Sequence, residues 1–322
     1  MLLLDGGMGH HLKVMGVQIE GPVGSMQRFL GVAMANTHNP ELVRDAHLSF
    51  IDAGCDVITT NSYSVVPSCL ALNKDAGDGE GDDIGDAETI ELRRLVQAAG
   101  RAAQQACDAR PDRHVKIAGC LPPLNESYQP DRVSSLNENL QTYREIANSI
   151  APFADVLLCE TMSTAQEAVA AATAAAETGL PVWVAWTLDE QTHPPVLRSG
   201  ESLFSALDAL REANLLGKVD AFLFNCTSPE MITEAVPLLL AEKLLPQSAL
   251  VGGYANGFET AASGCGEYRV ISPEDYWEKF VCSWIESGRA AGQGNGLVVG
   301  GCCAIYPKHI ARVRAGINSF AQ

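Results

Sequence analysis

The sequence predicts an α/β fold, a single (β/α)8 TIM barrel with enlarged βα loops, and three observations lead to this prediction. Short apolar, β-rich segments alternate with stretches of helical periodicity, and the pair occurs eight times. The strand-like segments are almost continuously apolar, which is typical of parallel strands buried on both faces. The 322 residues are enough for one such domain, so we predict that it extends over 1–322.

The predicted strands are rich in β-branched and other apolar residues. They are 2–5, 57–63, 115–121, 156–161, 182–188, 220–227, 249–256 and 297–303. The stretches with helical periodicity are 40–53, 86–109, 136–150, 163–178, 201–213, 229–241, 273–289 and 307–319. Four of them begin with a capping residue at or just before a proline or a helical turn: Asn39-Pro40, Ser163, Ser228-Pro229 and Ser272-Pro273.

A doubly wound open sheet is the alternative fold. It would require a break in the strand–helix rhythm or a glycine-rich phosphate-binding fingerprint. Gly6-Gly7-Met8-Gly9 lacks the GxGxxG spacing of that fingerprint. The sequence therefore favours the closed barrel.

Charge and composition exclude several classes of partner. The formal net charge is −17, whereas binding to nucleic acid or to an anionic membrane needs a basic surface. No apolar run reaches the roughly 18 residues of a membrane span, and Asp5 interrupts the apolar N-terminus too early for a signal peptide. We predict a cytoplasmic protein, a monomer or homodimer, with small-molecule substrates. Its ten cysteines are then expected to be thiols and not disulfides.

Two loops stand out between the predicted elements. Residues 73–88 are acidic and glycine-rich, but Asp83 stands where a calcium loop needs its turn glycine, so we predict a solvated loop. Residues 189–202 follow the fifth strand and are long enough to act as a lid.

Polar residues gather at the carboxyl ends of the predicted strands, where a barrel of this type carries its chemistry. The relevant groups are Asp5-Gly6-Gly7, Thr60-Asn61-Ser62-Tyr63, Cys159-Glu160-Thr161, Trp186-Thr187, Asn225-Cys226-Thr227, Tyr254-Ala255-Asn256 and Gly301-Cys302-Cys303. Cys226, Cys302 and Cys303 follow strands six and eight, near the same edge of a closed barrel. Three thiolates within reach of one another suggest a zinc site with a fourth position for substrate. On spacing alone a vicinal disulfide or ordinary buried thiols remain alternatives.

Five segments resemble those of the homocysteine S-methyltransferase family. They are "LLLDGGMG" (2–9), "TNSY" (60–63), "CET" (159–161), "FNCTSPE" (224–230) and "VVGGCC" (298–303). The resemblance implies a zinc-containing barrel that methylates homocysteine to methionine. It implies Cys226, Cys302 and Cys303 as the zinc ligands, with Gly300 and Gly301 giving the strand end freedom to bend.

The same resemblance implies roles for other residues at the barrel mouth. Asp5 and Glu160 are expected to bind the homocysteine ammonium, and backbone amides around Gly6 and Gly7, or near Ser62, its carboxylate. Asn225 and Asn256 are expected to line the substrate site. Aromatic faces suit a methyl-onium donor, and the candidates are Tyr63, Tyr128, Trp186 and Tyr254.

The sequence departs from the family pattern at two places. His10 and His11 replace a threonine and a glutamate, and we expect them to face solvent. Thr161 stands where betaine-dependent members have tyrosine, which favours a sulfonium donor: S-methylmethionine first, S-adenosylmethionine second. The alternatives are betaine as donor, a different thiol or selenol acceptor, and, more distantly, a non-catalytic zinc or redox-switch protein.

Overall fold

A computed structural model describes residues 1–18, 26–72, 84–242, 244–260, 268–292 and 296–320. Its strands are β1 (Leu2–Leu3), β2 (Val57–Thr59), β3 (Lys116–Leu121), β4 (Val156–Met162), β5 (Val182–Trp186), β6 (Val219–Asn225), β7 (Leu250–Ala255), β8 (Phe258–Thr260), β9 (Tyr268–Val270) and β10 (Leu297–Gly301). β8 and β9 form a separate antiparallel hairpin. The other eight are parallel in one sheet of order β1-β10-β7-β6-β5-β4-β3-β2. A parallel bridge from Leu4 to Val57 joins its two outer strands, so the sheet closes and the (β/α)8 barrel is confirmed.

The helices lie between these strands. They are α1 (Met8–Val14), α2 (Met26–His38), α3 (Pro40–Asp52), α4 (Pro67–Leu70), α5 (Ile84–Asp108), α6 (Leu136–Ile150), α7 (Ala165–Glu177), α8 (Leu203–Glu212), α9 (Pro229–Ala241), α10 (Pro273–Asp275), α11 (Cys282–Ala290) and α12 (Pro307–Phe320). A π-helical turn, Tyr276–Val281, joins α10 to α11 and interrupts the helix predicted over 273–289. In the described part of the chain, no helix is both long and apolar enough to cross a membrane.

Helix starts follow the capping rules with two corrections. Ser228 and Ser272 cap α9 and α10 through side-chain hydrogen bonds, as predicted. The cap of α7 is Thr164 instead of Ser163, and Asn39 precedes α3 without a side-chain cap bond. The acidic segment 73–88 was predicted as a loop, but its last residues belong to α5, which starts at Ile84; 73–83 lie outside the described residues.

The core has two apolar layers, and their alternation determines which side chains reach the site. On β4, Val156 and Leu158 lie in the cluster inside the barrel, whereas Leu157 and Cys159 pack against the helices. The next inward position on β4 is therefore Glu160. The same period of two makes Asn225 on β6 the inward residue after Leu223. Polar side chains thus cover the carboxyl end of an apolar barrel interior.

The long loop over 189–202 is anchored to neighbouring strand ends. The Glu190 carboxylate accepts hydrogen bonds from the backbone N–H and the hydroxyl of Ser228, at 2.9 and 2.6 Å. The Glu201 carboxylate accepts one from the backbone N–H of Ala165 at 3.0 Å. The proposed role of this loop as a moving lid stays a prediction.

Candidate functional site

Three cysteine sulfurs form a cluster at the carboxyl ends of β6 and β10. The Sγ of Cys226 lies 3.0 Å from that of Cys302 and 4.0 Å from that of Cys303. All three sulfurs lie within 4.8 Å of one another, and among the described residues this is the one such group able to hold a metal. Cys226 adopts a left-handed backbone (φ 53°) directly after β6, which turns its side chain toward β10. The described cysteines are all free thiols, as expected; Cys265 lies outside the described residues.

The cluster fits zinc in ligand type and in size. Tetrahedral Zn–S bonds of about 2.3 Å place ligand sulfurs roughly 3.8 Å apart. The Cys226–Cys303 separation matches this value, and the shorter Cys226–Cys302 pair has to open on metal binding. Hydrogen bonds from Cys226 and Cys302 hold the pKa of the Cys303 thiol well below its ordinary value, whereas bonds to Cys226 and Cys303 raise that of Cys302. Hydrogen bonds among the three sulfurs thus favour a thiolate within the cluster.

Glycines are required around the cluster because backbone segments approach closely. A Cβ on Gly7 would lie 2.6 Å from the carbonyl oxygen of Cys302, and one on Gly301 would lie 2.1 Å from the Ile305 side chain. A Cβ on Gly300 would meet Leu4 at 2.5 Å. Gly300 and Gly301 belong to β10 and have no left-handed backbone, so the predicted role in bending the strand end is wrong. They make space for the turn that carries the cysteines.

Two buried carboxylates lie in this part of the barrel: Glu160 from β4, which is close to Cys226 and Cys303, and Asp5 after β1, which neighbours Glu160. Glu160 accepts a hydrogen bond from the Cys120 thiol at 3.2 Å, and burial together with the charge of Cys226 raises its pKa to about 7. Asp5 accepts hydrogen bonds from the backbone N–H and hydroxyl of Thr59, at 2.8 and 3.1 Å, and burial raises its pKa to about 8. Within the described chain neither carboxylate pairs with a lysine or arginine. The site can thus accept a cationic ligand group.

Two of the amides predicted to hold a carboxylate are already engaged. The Gly7 N–H donates to Ile305 at 2.8 Å, and the Ser62 N–H donates to Thr60 at 2.7 Å. The Ser62 hydroxyl bonds to Thr60 and to the Cys120 carbonyl, at 2.8 and 3.3 Å. The N–H groups of Gly7 and Ser62 thus already have acceptors within the protein, and the expectation that amides around Gly6 and Gly7, or near Ser62, hold a carboxylate stays a prediction. Gly6 lies beside them, and its backbone packs against the Ile305 carbonyl.

The two asparagines at the mouth have different environments. Asn225 uses its carboxamide on Thr161, accepting from the backbone N–H at 3.0 Å and donating to the hydroxyl at 2.8 Å. It therefore joins the ends of β4 and β6, and its expected place in the substrate site stays a prediction. The Oδ1 of Asn256 is buried and accepts no hydrogen bond from the described residues, so it is available to a ligand.

Most aromatic candidates lie at the mouth, but one does not. The phenols of Tyr63 and Tyr128 have pKa values raised by burial and by the neighbouring Cys226, and Tyr254 belongs to the inner cluster beside Glu160. Trp186 does not lie at the mouth, so its predicted contact with the donor is wrong. It is 1% exposed, lies in the outer apolar layer, and stacks on Phe222 at 6.2 Å between ring centroids. Its neighbours Trp183 and Ala185 are the inward residues of β5.

The histidines after the first strand also differ from expectation. His10 and His11 were expected to face solvent, yet burial lowers the pKa of both rings. His10 lies 5.5 Å from the Phe258 ring, edge to face, and near Cys226. His11 packs against Phe50 at 5.3 Å.

Sequence reasoning missed Cys120 and Arg198 at the site. Cys120 could have been found, because it is the inward residue two positions after Ala118 on β3. Arg198 lies in an irregular loop, where no periodicity indicates which way its side chain points.

Comparisons with known proteins identify the family. The family model for homocysteine S-methyltransferase matches residues 2–317. Homocysteine S-methyltransferase of Escherichia coli K12 is 26% identical, over 98% of this chain and 94% of its own; selenocysteine methyltransferase of Astragalus bisulcatus is also 26% identical, over 98% and 92%. Homocysteine S-methyltransferase 1 of Arabidopsis thaliana is 23% identical, over 96% and 90%. The metallated form of the Escherichia coli homocysteine methyltransferase MmuM superposes with a TM-score of 0.73 at 23% identity, covering 98% of this chain and 96% of that one. This chain therefore belongs to the homocysteine S-methyltransferase family.

Proposed function

We propose that the protein is a zinc-dependent enzyme that transfers a methyl group from a sulfonium donor to the thiol of L-homocysteine, giving methionine. The observation that carries the proposal is the cluster of Cys226, Cys302 and Cys303 near two buried carboxylates, Glu160 and Asp5, with which no lysine or arginine of the described chain pairs. One zinc ion held by the three cysteines would offer its fourth position to the homocysteine sulfur and favour loss of the thiol proton. We further propose that the enzyme acts in the cytoplasm as a monomer or homodimer.

The two carboxylates would bind the ammonium group of homocysteine. Burial raises the pKa of Glu160 to about 7 and that of Asp5 to about 8, so without a cation beside them both carry a proton for a large fraction of the time near neutral pH. An arriving ammonium favours their charged forms and lowers these pKa values. The free energy of that pairing would contribute to homocysteine affinity and fix its sulfur beside the cysteines. The unpartnered Oδ1 of Asn256 can accept a further ammonium hydrogen bond.

Methyl transfer consumes two opposite charges at this site. The bond between the methyl carbon and the donor sulfonium sulfur breaks, its electron pair stays on that sulfur, and a carbon–sulfur bond forms to homocysteine. The thiol proton is released to solvent before the transfer. Because a thiolate and a sulfonium are neutralised together, a dry site favours the reaction. The aromatic faces of Tyr63, Tyr128 and Tyr254 suit the sulfonium before it reacts.

S-methylmethionine is the preferred donor in this proposal, S-adenosylmethionine the second, and betaine the alternative. Thr161 supports this order, because it occupies the position after Glu160 where the resemblance associates a tyrosine with betaine use. Thr161 is fully buried and bonded to Asn225, so its side chain does not extend into the mouth. A selenol acceptor is a second candidate, favoured by the 26% identity to a selenocysteine methyltransferase.

The experiment measures zinc and methionine formation in the same reduced preparation. We expect about one zinc per chain, lost in Cys226→Ala and in Cys303→Ala but retained in Cys159→Ala, a buried thiol on the outer face of β4. Methionine formation is compared with S-methylmethionine, S-adenosylmethionine and betaine, and selenocysteine is offered as a competing acceptor. Absence of zinc from reduced protein, or of methionine with every donor, would contradict the proposal. A preference for betaine or for the selenol would change only the substrate assignment.

A further inference from the structure

Arg198 lies at the barrel mouth, on the loop that follows β5. Its backbone N–H donates to the carbonyl of Thr187 at 3.0 Å, and its guanidinium donates to the Thr187 hydroxyl at 3.3 Å. The guanidinium carbon lies 4.9 Å from the centre of the Tyr128 ring. These two contacts hold a long, charged side chain in one place.

Both residues that hold Arg198 also touch Cys226. The Thr187 hydroxyl lies 3.3 Å from the Cys226 carbonyl oxygen, and the Tyr128 hydroxyl is in hydrogen-bonding contact with the Cys226 thiol. Thr187 and Tyr128 each therefore connect the guanidinium to Cys226 of the sulfur cluster. The guanidinium belongs to the loop that follows β5, whereas Glu160 belongs to β4 and points into the barrel.

The guanidinium keeps hydrogen-bonding capacity that the described residues do not use. Its Nε is buried and has no hydrogen-bond partner among them. Its Nη2 forms an ion pair with a carboxylate oxygen of Glu190 at 3.9 Å, which is too long for a hydrogen bond. Arginine offers a planar fork that matches the two oxygens of a carboxylate, and stacking on an aromatic face leaves the fork edge free. Arg198 thus retains hydrogen-bonding capacity for a carboxylate beyond its contacts with Thr187 and Glu190.

The charges around the site also favour Arg198 as the ligand of a substrate carboxylate. Glu160, Asp5 and the three cysteines are acidic groups, so a substrate carboxylate would be repelled from most of the mouth. The N–H groups of Gly7 and Ser62 already donate to carbonyl oxygens of the protein. Arg198 supplies positive charge beside the cluster, through its contacts with Thr187 and Tyr128.

We propose that Arg198 binds the carboxylate of the methyl donor and so selects sulfonium amino acids over sulfonium compounds without a carboxylate. This inference rests on the proposed function, because it takes the donor to be a sulfonium amino acid. The guanidinium N–H groups donate to the carboxylate oxygens while Tyr128 keeps the guanidinium oriented, and the sulfonium end points to the cysteine cluster. A purely structural Arg198 would instead do no more than tie its loop to Thr187.

The test compares S-methylmethionine with its methyl ester, which lacks the carboxylate charge. Binding of each to the zinc-loaded protein is measured by calorimetry, and KM and kcat are measured with each as donor. Arg198→Met removes the charge at similar length, Arg198→Lys keeps the charge without the fork, and Arg211→Met is a control at an exposed arginine paired with Asp208.

We expect Arg198→Met to raise the Kd and KM for S-methylmethionine by about 10–100-fold, with Arg198→Lys in between. The ester should bind the wild-type protein and Arg198→Met equally well, and zinc content and the KM for homocysteine should be unchanged. Equal losses for S-methylmethionine and the ester, a raised KM for homocysteine, or no loss at all would each overturn the inference. Failure of the proposed function is a separate result, since wild-type protein would then make no methionine while the binding comparison could still be made.

Discussion

The carboxamide of Asn225 clamps Thr161 by its backbone N–H and by its hydroxyl, at 3.0 and 2.8 Å. Thr161 directly follows Glu160, and Asn225 directly precedes Cys226. Thr161 and Cys226 both have left-handed backbones, with φ of 61° and 53°. The clamp therefore ties the carboxylate end of β4 to the metal-ligand end of β6 and determines the spacing between Glu160 and Cys226.

Replacing Asn225 should uncouple the two strand ends. In Asn225→Ala the backbone N–H of Thr161 is buried without an acceptor, and we expect the free energy of unfolding to fall by about 1–3 kcal/mol. Because the turn at Cys226 loses its support, zinc affinity should fall by about 10–100-fold. Chemical denaturation and competition with a chelator measure the two quantities. The matched control is Asn139→Ala, a buried asparagine of α6 that donates to Ser134 far from the cluster. It should lose stability but keep its zinc affinity, and equal zinc affinities in the two variants would contradict the prediction.

Neutralising Glu160 should weaken homocysteine binding without removing zinc. In Glu160→Gln the carboxamide keeps the size of the side chain and can still accept from Cys120, but it no longer offsets the ammonium charge. We expect the Kd for homocysteine to rise by about 10–100-fold, since a charge pair out of water loses one partner. Calorimetric titration of zinc-loaded protein gives the Kd, and Glu145→Gln, at an exposed carboxylate paired with Arg93, is the control. Loss of zinc from Glu160→Gln would show that the carboxylate supports the metal site instead.

Glu167 should make the protein less stable as the pH rises. Its carboxylate is buried at the start of α7 and accepts from the Ser163 N–H at 2.8 Å, and burial raises its pKa from 4.5 to about 7. Between these values the folded protein keeps a proton that the unfolded chain has released, so stability falls as the pH rises from about 4.5 to about 7 and stays lower above. The Glu167→Gln variant should lack this loss. Relative to wild type, it should gain up to about 3 kcal/mol between pH 5 and pH 8.

Denaturation at several pH values tests this prediction, with Glu138→Gln as the control. Glu138 is exposed, and hydrogen bonds from Ser135 lower its pKa, so any stability it contributes is fully present above about pH 4.5. The difference between Glu138→Gln and wild type should therefore stay constant from pH 5 to pH 8. If the same holds for Glu167→Gln, the carboxylate does not titrate as its burial indicates.

The sequence was sufficient for the barrel and for several strand-end residues because both depend on local pattern. Strand–helix alternation predicted the eight parallel strands, and their carboxyl ends located Glu160 and the three cysteines at one mouth. It was not sufficient for the direction of Trp186. Near-continuous apolar strands carry no alternation that distinguishes the inner face from the outer one.

Long-range backbone contacts were also beyond the sequence. Gly7 and Ser62 looked like free amides because nothing local shows that their N–H groups donate to Ile305 and Thr60. Arg198 reaches the site because of the path of its loop. Hydrogen bonds to the segments that follow three different strands fix that path. The Gly7 contact and those of the loop join residues far apart in the chain, and the Ser62 contact depends on the local turn after β2; propensity or spacing encodes neither.

The glycine at position 7 should be required for space and not for backbone freedom. Its φ of −70° is open to any residue, but an added Cβ would lie 2.6 Å from the Cys302 carbonyl oxygen. Gly7→Ala should therefore displace the turn that carries Cys302 and Cys303, lower the free energy of unfolding by about 1–3 kcal/mol, and weaken zinc binding. Gly217→Ala is the matched control, because nothing lies within 4 Å of the Cβ it would add. Unfolding curves and chelator competition on both variants decide the matter: if Gly7→Ala keeps the wild-type zinc affinity, the contact between the glycine segment and the cysteine turn does not shape the metal site.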